Sequence, residues 1–370
     1  MRFKIDSMEL GQALYRVQGI AARKSSMPIL AHVLLRAEED GSLELTATDL
    51  DIGFVGRYKA EVEESGSVAI HAKQLYEIVK SLGHSTITLG LEDNYWLEVK
   101  SGASRFRLVG MKPDDFPALP NTNTIDTFTI PAGELKYMIE HTLFCVSTDD
   151  NRHNLSGVFC QGKENGGLRM IATDGHRLAM AEKNLDGDLH LADGVIVPRK
   201  GFQELRRILG DIEDLTSVAL GFSTTNGVVR VLDMTLSTRL VEGQFPDYQQ
   251  VIPSETTRSV CLSRSHFSEA LKRVSLLSQG RAYGVKLAIE KGGMNLIAED
   301  PEFGDANEKI EIEYSEEPMI IGFNARYLLD ALALINSDTV VLHLTDDLSP
   351  GILKPAEDEG FLAVVMPVRI

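Results

Sequence analysis

The chain has 370 residues, 43% of them hydrophobic and 25% charged, with 54 acids against 37 bases for a formal net charge of −17. It carries no apolar run of about 18 residues and no charged-then-apolar amino terminus, so neither a membrane span nor a signal peptide is expected and the chain reads as soluble and cytoplasmic. Cys145, Cys160 and Cys261 are odd in number and widely spaced, which argues against a disulfide framework or a zinc site and leaves three small, buried apolar residues.

A helical pattern carrying Leu14 and Val17 opens the chain. An apolar run from Ile29 to Leu35 reads as a strand, and a second strand from Gly41 ends on Ala47-Thr48-Asp49. Leu75, Ile78, Val79 and Leu82 give a second helix, and a strand with Phe106 and Leu108 leads to Phe116-Pro117. After the polar, Pro-led stretch from Pro120 to Asp126 the series restarts. Its second pass has a helix at Ile139 and Thr142, a strand from Gly167 to Asp174, and a helix at Phe202, Leu205, Ile208 and Leu209. The strand Thr238-Arg239-Leu240 then runs to Phe245-Pro246, and a second polar stretch spans Pro253 to Arg258. A third pass has a helix at Leu271 and Val274, a strand from Gly293 to Asp300, a helix at Leu328 and Leu332, the strand Thr339 to Leu344, and Ala363 to Pro367 at the close.

The three strands ending on Ala-x-Asp place Asp49, Asp174 and Asp300 at intervals of 125 and 126 residues, a domain-sized period rather than a solenoid-sized one. The expectation is an α+β chain of three similar tandem domains, 1–125, 126–253 and 254–370, each with antiparallel sheets and two helices on one face.

Acidity of this degree argues against a nucleic-acid partner, but the bases are not scattered. Arg199, Lys200, Arg206 and Arg207 oppose only Glu204 on one helix; Arg264, Lys272, Arg273 and Arg281 oppose only Glu269 on another. Arg16, Arg23 and Lys24 lie on the first helical segment, with Lys73 and Lys80 on the second. The segment around Glu134, Lys136 and Glu140 does not follow the trend, and Arg326 is balanced by Asp330.

Thr173-Asp174-Gly175-His176-Arg177 is the segment that most invites a catalytic reading, with Ser156 as a nucleophile and His176 and Asp174 as the working pair of a hydrolase. The competing reading is a turn after a strand, in which Asp174 accepts from backbone amides and Gly175 takes a positive φ. The other repeats carry Asp49-Leu50-Asp51 and Asp300-Pro301-Glu302 there, which favours the turn. No His-Glu-x-x-His, phosphate-binding loop or dinucleotide fingerprint occurs, and Asp149-Asp150 and Asp346-Asp347 read as loop turns, so no cofactor and no metal are expected. A repeat-built peptide scaffold without DNA is the remaining alternative, and it predicts that neutralising Arg199, Lys200 and Arg206 leaves function intact.

Four segments carry a family resemblance: Ala172 to Leu178, Val197-Pro198-Arg199-Lys200-Gly201, Gly243 to Tyr248 with Pro253, and Val364 to Ile370. In this order and spacing the chain resembles the bacterial DNA polymerase III beta subunits, the replicative sliding clamps, from end to end. Met1 to Ile5 and Met27 to Leu30 fit the same pattern. The resemblance implies the DNA clamp fold, a head-to-tail homodimer whose six domains close into a ring, with helices inside and sheets outside. It implies a non-catalytic processivity factor that encircles duplex DNA without base readout and tethers the polymerase, raising its effective concentration.

The same resemblance implies three sets of residues. Lys24, Lys73, Lys80, Arg152, Arg199, Lys200 and Lys272 face DNA. Phe106 and Leu108, on the edge strand Ser104 to Val109, meet Leu276 and Leu277 of the partner chain, with Arg105 or Arg107 near Glu299, Asp300 and Glu302. A peptide groove between the second and third domains uses Leu155, Thr173, Gly175, His176, Arg177, Leu178, Pro246, Val251, Val364, Val365, Met366, Pro367, Val368 and Arg369. The implied partners are the replicative polymerase subunit, the clamp loader, and other polymerases and repair factors with a clamp-binding peptide. The chain departs from the family where aromatics are common, at Asp149 to Asn154 and at Arg281-Ala282-Tyr283, and Pro350 replaces a small polar residue.

Overall fold

The computed structural model describes residues 1–369 except 22–25, 84, 150, 165, 186–188, 190, 192, 279–282, 358 and 359. Arg23, Lys24, Asp150, Arg281, Ala282 and Ile370, named above, therefore lie outside the described residues.

Among the described residues six α-helices carry the expected periodicity: α1 Ser7–Val17, α2 Ala72–Ser81, α3 Ala132–Leu143, α4 Arg199–Leu209, α5 Arg264–Val274 and α6 Ala325–Leu332. None among the described residues is long and apolar enough to cross a membrane. On α1, Leu10, Ala13, Leu14 and Val17 are buried at three- and four-residue steps, and the Asp6 carboxylate accepts the N–H groups of Met8 and Glu9. α4 buries Phe202, Leu205, Ile208 and Leu209, while α5 buries Phe267, Ala270, Leu271 and Val274. Asn324 caps α6 by accepting the Arg326 N–H at 3.0 Å.

The chain divides into two compact units, residues 1–136 with 200–240, and residues 137–199 with 241–370. The first contains one 13-stranded sheet; the second contains sheets of eight and four strands. All strand pairings are antiparallel, as expected. In the first unit the strand Met234–Arg239 pairs with Ile52–Lys59, so four strands of the middle repeat continue into nine of the first. In the second, Phe361–Val365 pairs with Arg177–Lys183 and joins the remaining middle strands to those of the third repeat. Because strands cross each repeat boundary, backbone pairing is dense at the boundaries, and the division falls inside the middle repeat instead of between repeats.

The Ala-x-Asp turn is built alike in every repeat. Asp49 Oδ1 accepts from the backbone of Asp51 and Ile52 at 3.1 and 2.7 Å, Asp174 Oδ1 from His176 and Arg177 at 2.9 and 3.0 Å, and Asp300 Oδ1 from Glu302 and Phe303 at 2.9 and 3.1 Å. Thr48 and Thr173 donate to the carbonyls of Ile52 and Arg177, closing the first two turns from the other side. Gly175 sits at φ +88°, as the turn reading requires, and Leu50 takes φ +82° in the same place. An acid followed by free amides is therefore the reason for the repeated motif.

Three expectations need correction. The run Ile29 to Leu35 is not all strand: Pro28–Ala31 forms a 3-10 turn led by its proline, and the strand starts at His32. Cys145 and Cys160 are buried but Cys261 is exposed, because it alternates with the inward Val260 and Leu262 on its strand. Arg16 is not a surface base; it is 8% exposed, with Asp211 3.7 Å away.

Candidate peptide groove and DNA-facing helices

The second unit brings together most of the expected groove residues at the junction of the middle and third repeats. Arg177 pairs in register with Val365 and Leu178 with Val364, and the Met366 N–H donates to the His176 carbonyl at 2.9 Å. Beyond it, Pro367 bridges Phe323 and the Val368 N–H donates to Gly322 at 2.9 Å. Under this crossing lies an apolar cluster that includes Phe159, Ile171, Leu178, Tyr248, Ile352 and Val364, with Phe245 and Ile252 packed on its margin. Phe245 stacks on Phe159 at 4.9 Å between ring centroids.

The expected groove residues divide by depth. Leu155, Leu178, Val364 and Val365 are buried and form the support; Thr173, Arg177, Pro367 and Val368 are half-buried; Gly175, His176, Pro246, Val251, Met366 and Arg369 are exposed. Asn154 reaches the Gln244 carbonyl at 3.3 Å, which ties the turn carrying Leu155 to the segment carrying Pro246. The exposed Met366 and Val251 give the surface its apolar character, which suits an adaptable contact with apolar side chains.

Arg177 has a role that its sequence position does not announce. Its guanidinium donates to Asp174 at 3.0 Å, to Asp330 on α6 at 2.6 Å and to the Phe144 carbonyl at 3.0 Å, and it lies 4.6 Å from the Tyr327 ring centroid. These contacts fix the turn to α6, so Arg177 supports the candidate groove from within. Asp330, Phe144 and Tyr327 are part of the site that sequence reasoning missed; the pattern marks Asp330 only as the balance to Arg326. Tyr248 was legible as part of a motif, and its hydroxyl accepts from Arg169 at 2.7 Å and reaches Gln161 at 3.1 Å.

The first junction repeats the backbone arrangement but not the chemistry. Arg239 donates its N–H to the Asp51 carbonyl at 2.8 Å, as Met366 does to His176, so an arginine stands where the second junction presents a thioether. Gly53 occupies the place of Leu178, and a Cβ there would lie 2.9 Å from Leu119.

A hydrolytic centre is not assembled at His176. The Asp174 carboxylate is directed at backbone amides and the Arg177 guanidinium, while the Ser156 hydroxyl donates to the His153 carbonyl at 2.6 Å. Burial pushes the thiols of Cys145 and Cys160 up, away from the thiolate form a nucleophile needs.

Of the bases expected to face DNA, Lys73 and Lys80 are exposed on α2 and Lys272 on α5. Lys200, at the start of α4, is salt-bridged to Asp49. Arg199 is half-buried, with its Nε enclosed and without a hydrogen-bond partner. Arg152 lies against the 174–175 turn, donating to the Asp174 carbonyl at 3.0 Å and pairing with Asp149 at 3.4 Å. It is therefore at the groove margin rather than on a helix.

At the expected dimer surface, Ser104–Met111 pairs with Trp96–Ser101 along its length on one side, while on the other Gly66–His71 reaches only Gly110 and Met111. The stretch 104–109 is thus an open edge on that side among the described residues, with Phe106 and Leu108 half-buried and Val109 61% exposed. Arg105 and Arg107 meet Glu98 and Glu92 of their own sheet. Leu276 is exposed and Leu277 half-buried on the 3-10 turn Ser275–Leu277 after α5.

Comparison with known proteins accounts for the whole chain. Residues 1–120 match the N-terminal domain of the DNA polymerase III beta subunit, 129–247 its central domain and 249–369 its C-terminal domain. The chain is 34% identical over 375 residues to the beta sliding clamp of Caulobacter vibrioides and 32% identical over 371 residues to that of Vibrio cholerae, each comparison covering all of both proteins. Its structure matches the sliding clamp of Bartonella birtlesii, solved bound to griselimycin, with a TM-score of 0.95 at 35% identity and full coverage of both chains. The Thermotoga maritima beta subunit gives a TM-score of 0.93 at 28% identity, covering 100% of this chain and 99% of the other. With three clamp domains matched in order along its length, the chain belongs to the DNA polymerase III beta subunit family, the beta sliding clamps, which serve DNA replication as processivity factors and not as enzymes.

Proposed function

We propose that two copies of this chain, each with clamp domains 1–125, 126–253 and 254–370, join head to tail into a ring around duplex DNA in the bacterial cytoplasm. In this reading the replicative polymerase, the clamp loader and other polymerases and repair factors dock through short peptides at the junction carrying Met366. The observation that carries the docking site is the contrast between the two junctions: the same backbone crossing presents Met366 over an apolar cluster at one and Arg239 at the other. An extended peptide with apolar anchors gains by burying them only at the first of these surfaces.

Docking is tested with a fluorescent peptide from the carboxyl end of the cognate polymerase subunit, titrated with wild type, Met366→Asp and His176→Ala. A charge placed on the apolar surface costs about 1–3 kcal/mol, so Met366→Asp weakens binding roughly ten- to a hundredfold. His176→Ala keeps its backbone contact and weakens binding only a few-fold. Unchanged affinity in Met366→Asp would move the docking site elsewhere.

For ring closure, the open edge 104–109 with Phe106 and Leu108 docks beside Leu276 and Leu277 of the partner copy. Arg105 and Arg107 then exchange their own acids for acids of the partner such as Glu299, Asp300 and Glu302. Inside the ring, Lys24, Lys73, Lys80, Arg199, Lys200 and Lys272 face phosphates, with Arg152 nearer the groove. Such contacts are sequence-independent and weakened by salt, as a sliding ring requires.

A further inference from the structure

An open cleft of about 390 Å³ lies between α1 and α2, within the roughly 300–1,000 Å³ range of small-ligand sites. Its walls include Met8, Gly11 and Tyr15 from α1 and Tyr76, Val79 and Lys80 from α2. Met8 and Tyr15 are 50% and 46% exposed, an unusual display of apolar surface on helices whose other faces are packed.

The two tyrosine rings are 6.3 Å apart and tilted by 39°, so they diverge as a wedge instead of stacking on each other. Each is flanked by a cation. Lys80 Nζ is 5.7 Å from the Tyr76 centroid, and the Arg207 guanidinium is 5.7 Å from that of Tyr15. The resulting row, Arg207, Tyr15, Tyr76, Lys80, sets a pair of aromatics between two cations, a combination that can stack nucleobases while neutralising phosphates.

The two ends of the row are not equivalent. Arg207 is paired with Glu204 at 2.7 Å, whereas Lys80 has no carboxylate partner among the described residues. Asp211, the one acid among the described residues lining the cleft, faces Arg16 at 3.7 Å and repels phosphate from its own end. Phosphate therefore belongs at Lys80. Lys73 lies two turns back on the same face of α2, roughly 10 Å along the helix axis, in line to follow a backbone.

We infer that this cleft binds an unpaired stretch of single-stranded DNA, with a base stacked on the open side of the Tyr15–Tyr76 wedge and its phosphate at Lys80. Duplex does not fill the wedge, because its bases are stacked on one another and reach a protein pocket only when flipped out. The inference rests on the reading that these helices face DNA, and it adds a foothold for single strand beside the encircled duplex.

The test uses the full chain and a fluorescein-labelled oligothymidylate in anisotropy titrations over a range of salt. Tyr15→Ser with Tyr76→Ser weakens binding about tenfold, whereas Tyr15→Phe with Tyr76→Phe stays within about twofold, since the ring and not the hydroxyl stacks. Lys80→Gln lowers the slope of log affinity against log salt by about 0.7, the change expected for one single-strand phosphate left without its cation. Equal affinity in wild type and the double serine variant, with both shown folded by circular dichroism, overturns the inference. So does competition by free thymidine monophosphate at the same concentration as the oligonucleotide, which would make the cleft a mononucleotide site. Retention of wild type on circular duplex, measured alongside, tests the clamp reading separately, and the double serine variant retains it.

Discussion

At the scale of single residues, Arg177 holds the junction of the middle and third repeats together. It satisfies Asp174, Asp330 and the Phe144 carbonyl at once. Replacing it by Met leaves two partly buried carboxylates without a counter-charge and should cost about 2–3 kcal/mol in urea unfolding, and Arg177→Lys should recover little because an ammonium lacks the planar fork. The neighbouring turn was legible from sequence because its chemistry is local: Asp174, the amides it accepts and the positive φ at Gly175 lie within four residues. The inward course of Arg177 was not, since its strongest acceptor lies on α6, 153 positions along the chain. Histidine gives a pH signature. Burial holds His32 and His343 below the usual imidazole pKa, so both are neutral in the fold while the unfolded chain takes up protons below about pH 6.5. Their contribution to stability is present above that pH and declines as pH falls through the lowered folded values. His32→Asn should therefore lose less of its urea midpoint than wild type between about pH 7.5 and 5.5.

At the scale of elements, the helices were read correctly because a single apolar stripe at three- and four-residue steps defines each, as with Leu10, Ala13, Leu14 and Val17. What periodicity does not reveal is which basic residues remain free. Arg16 points inward, Lys200 is engaged by Asp49, and Arg207 by Glu204, leaving the three lysines Lys73, Lys80 and Lys272 exposed and without an ion pair among the described residues, as Arg206 on α4 also is. Replacing these three by Gln should lower the salt slope of binding to linear duplex by about 0.9 for each phosphate no longer neutralised. Lys200→Gln should have a smaller effect, since it also frees Asp49. The strand 104–111 shows the complementary limit: alternation cannot say which side of a strand is paired, and only the structure shows that Gly66–His71 covers Gly110 and Met111 and leaves the rest open.

At the scale of the whole molecule, the threefold period was legible because each domain repeats one turn, one strand and two helices. The two compact units were not, because they arise from strand pairing across repeat boundaries, which depends on residues nearly two hundred positions apart, such as Leu236 and Phe54. The same openness to pairing at a strand edge is the basis of the proposed ring. Leu276→Ala with Leu277→Ala removes apolar area worth about 1.5–3 kcal/mol per side chain and should give a folded monomer by light scattering. A double variant that remains dimeric would remove those leucines from the interface. The most direct measurement of the central claim is retention on plasmid DNA by gel filtration after loading with the clamp loader and ATP. Protein that stays on the circle and is lost when a restriction enzyme cuts it is held topologically, as the ring requires. Equal retention on circular and linear forms would mean ordinary electrostatic binding and contradict the account.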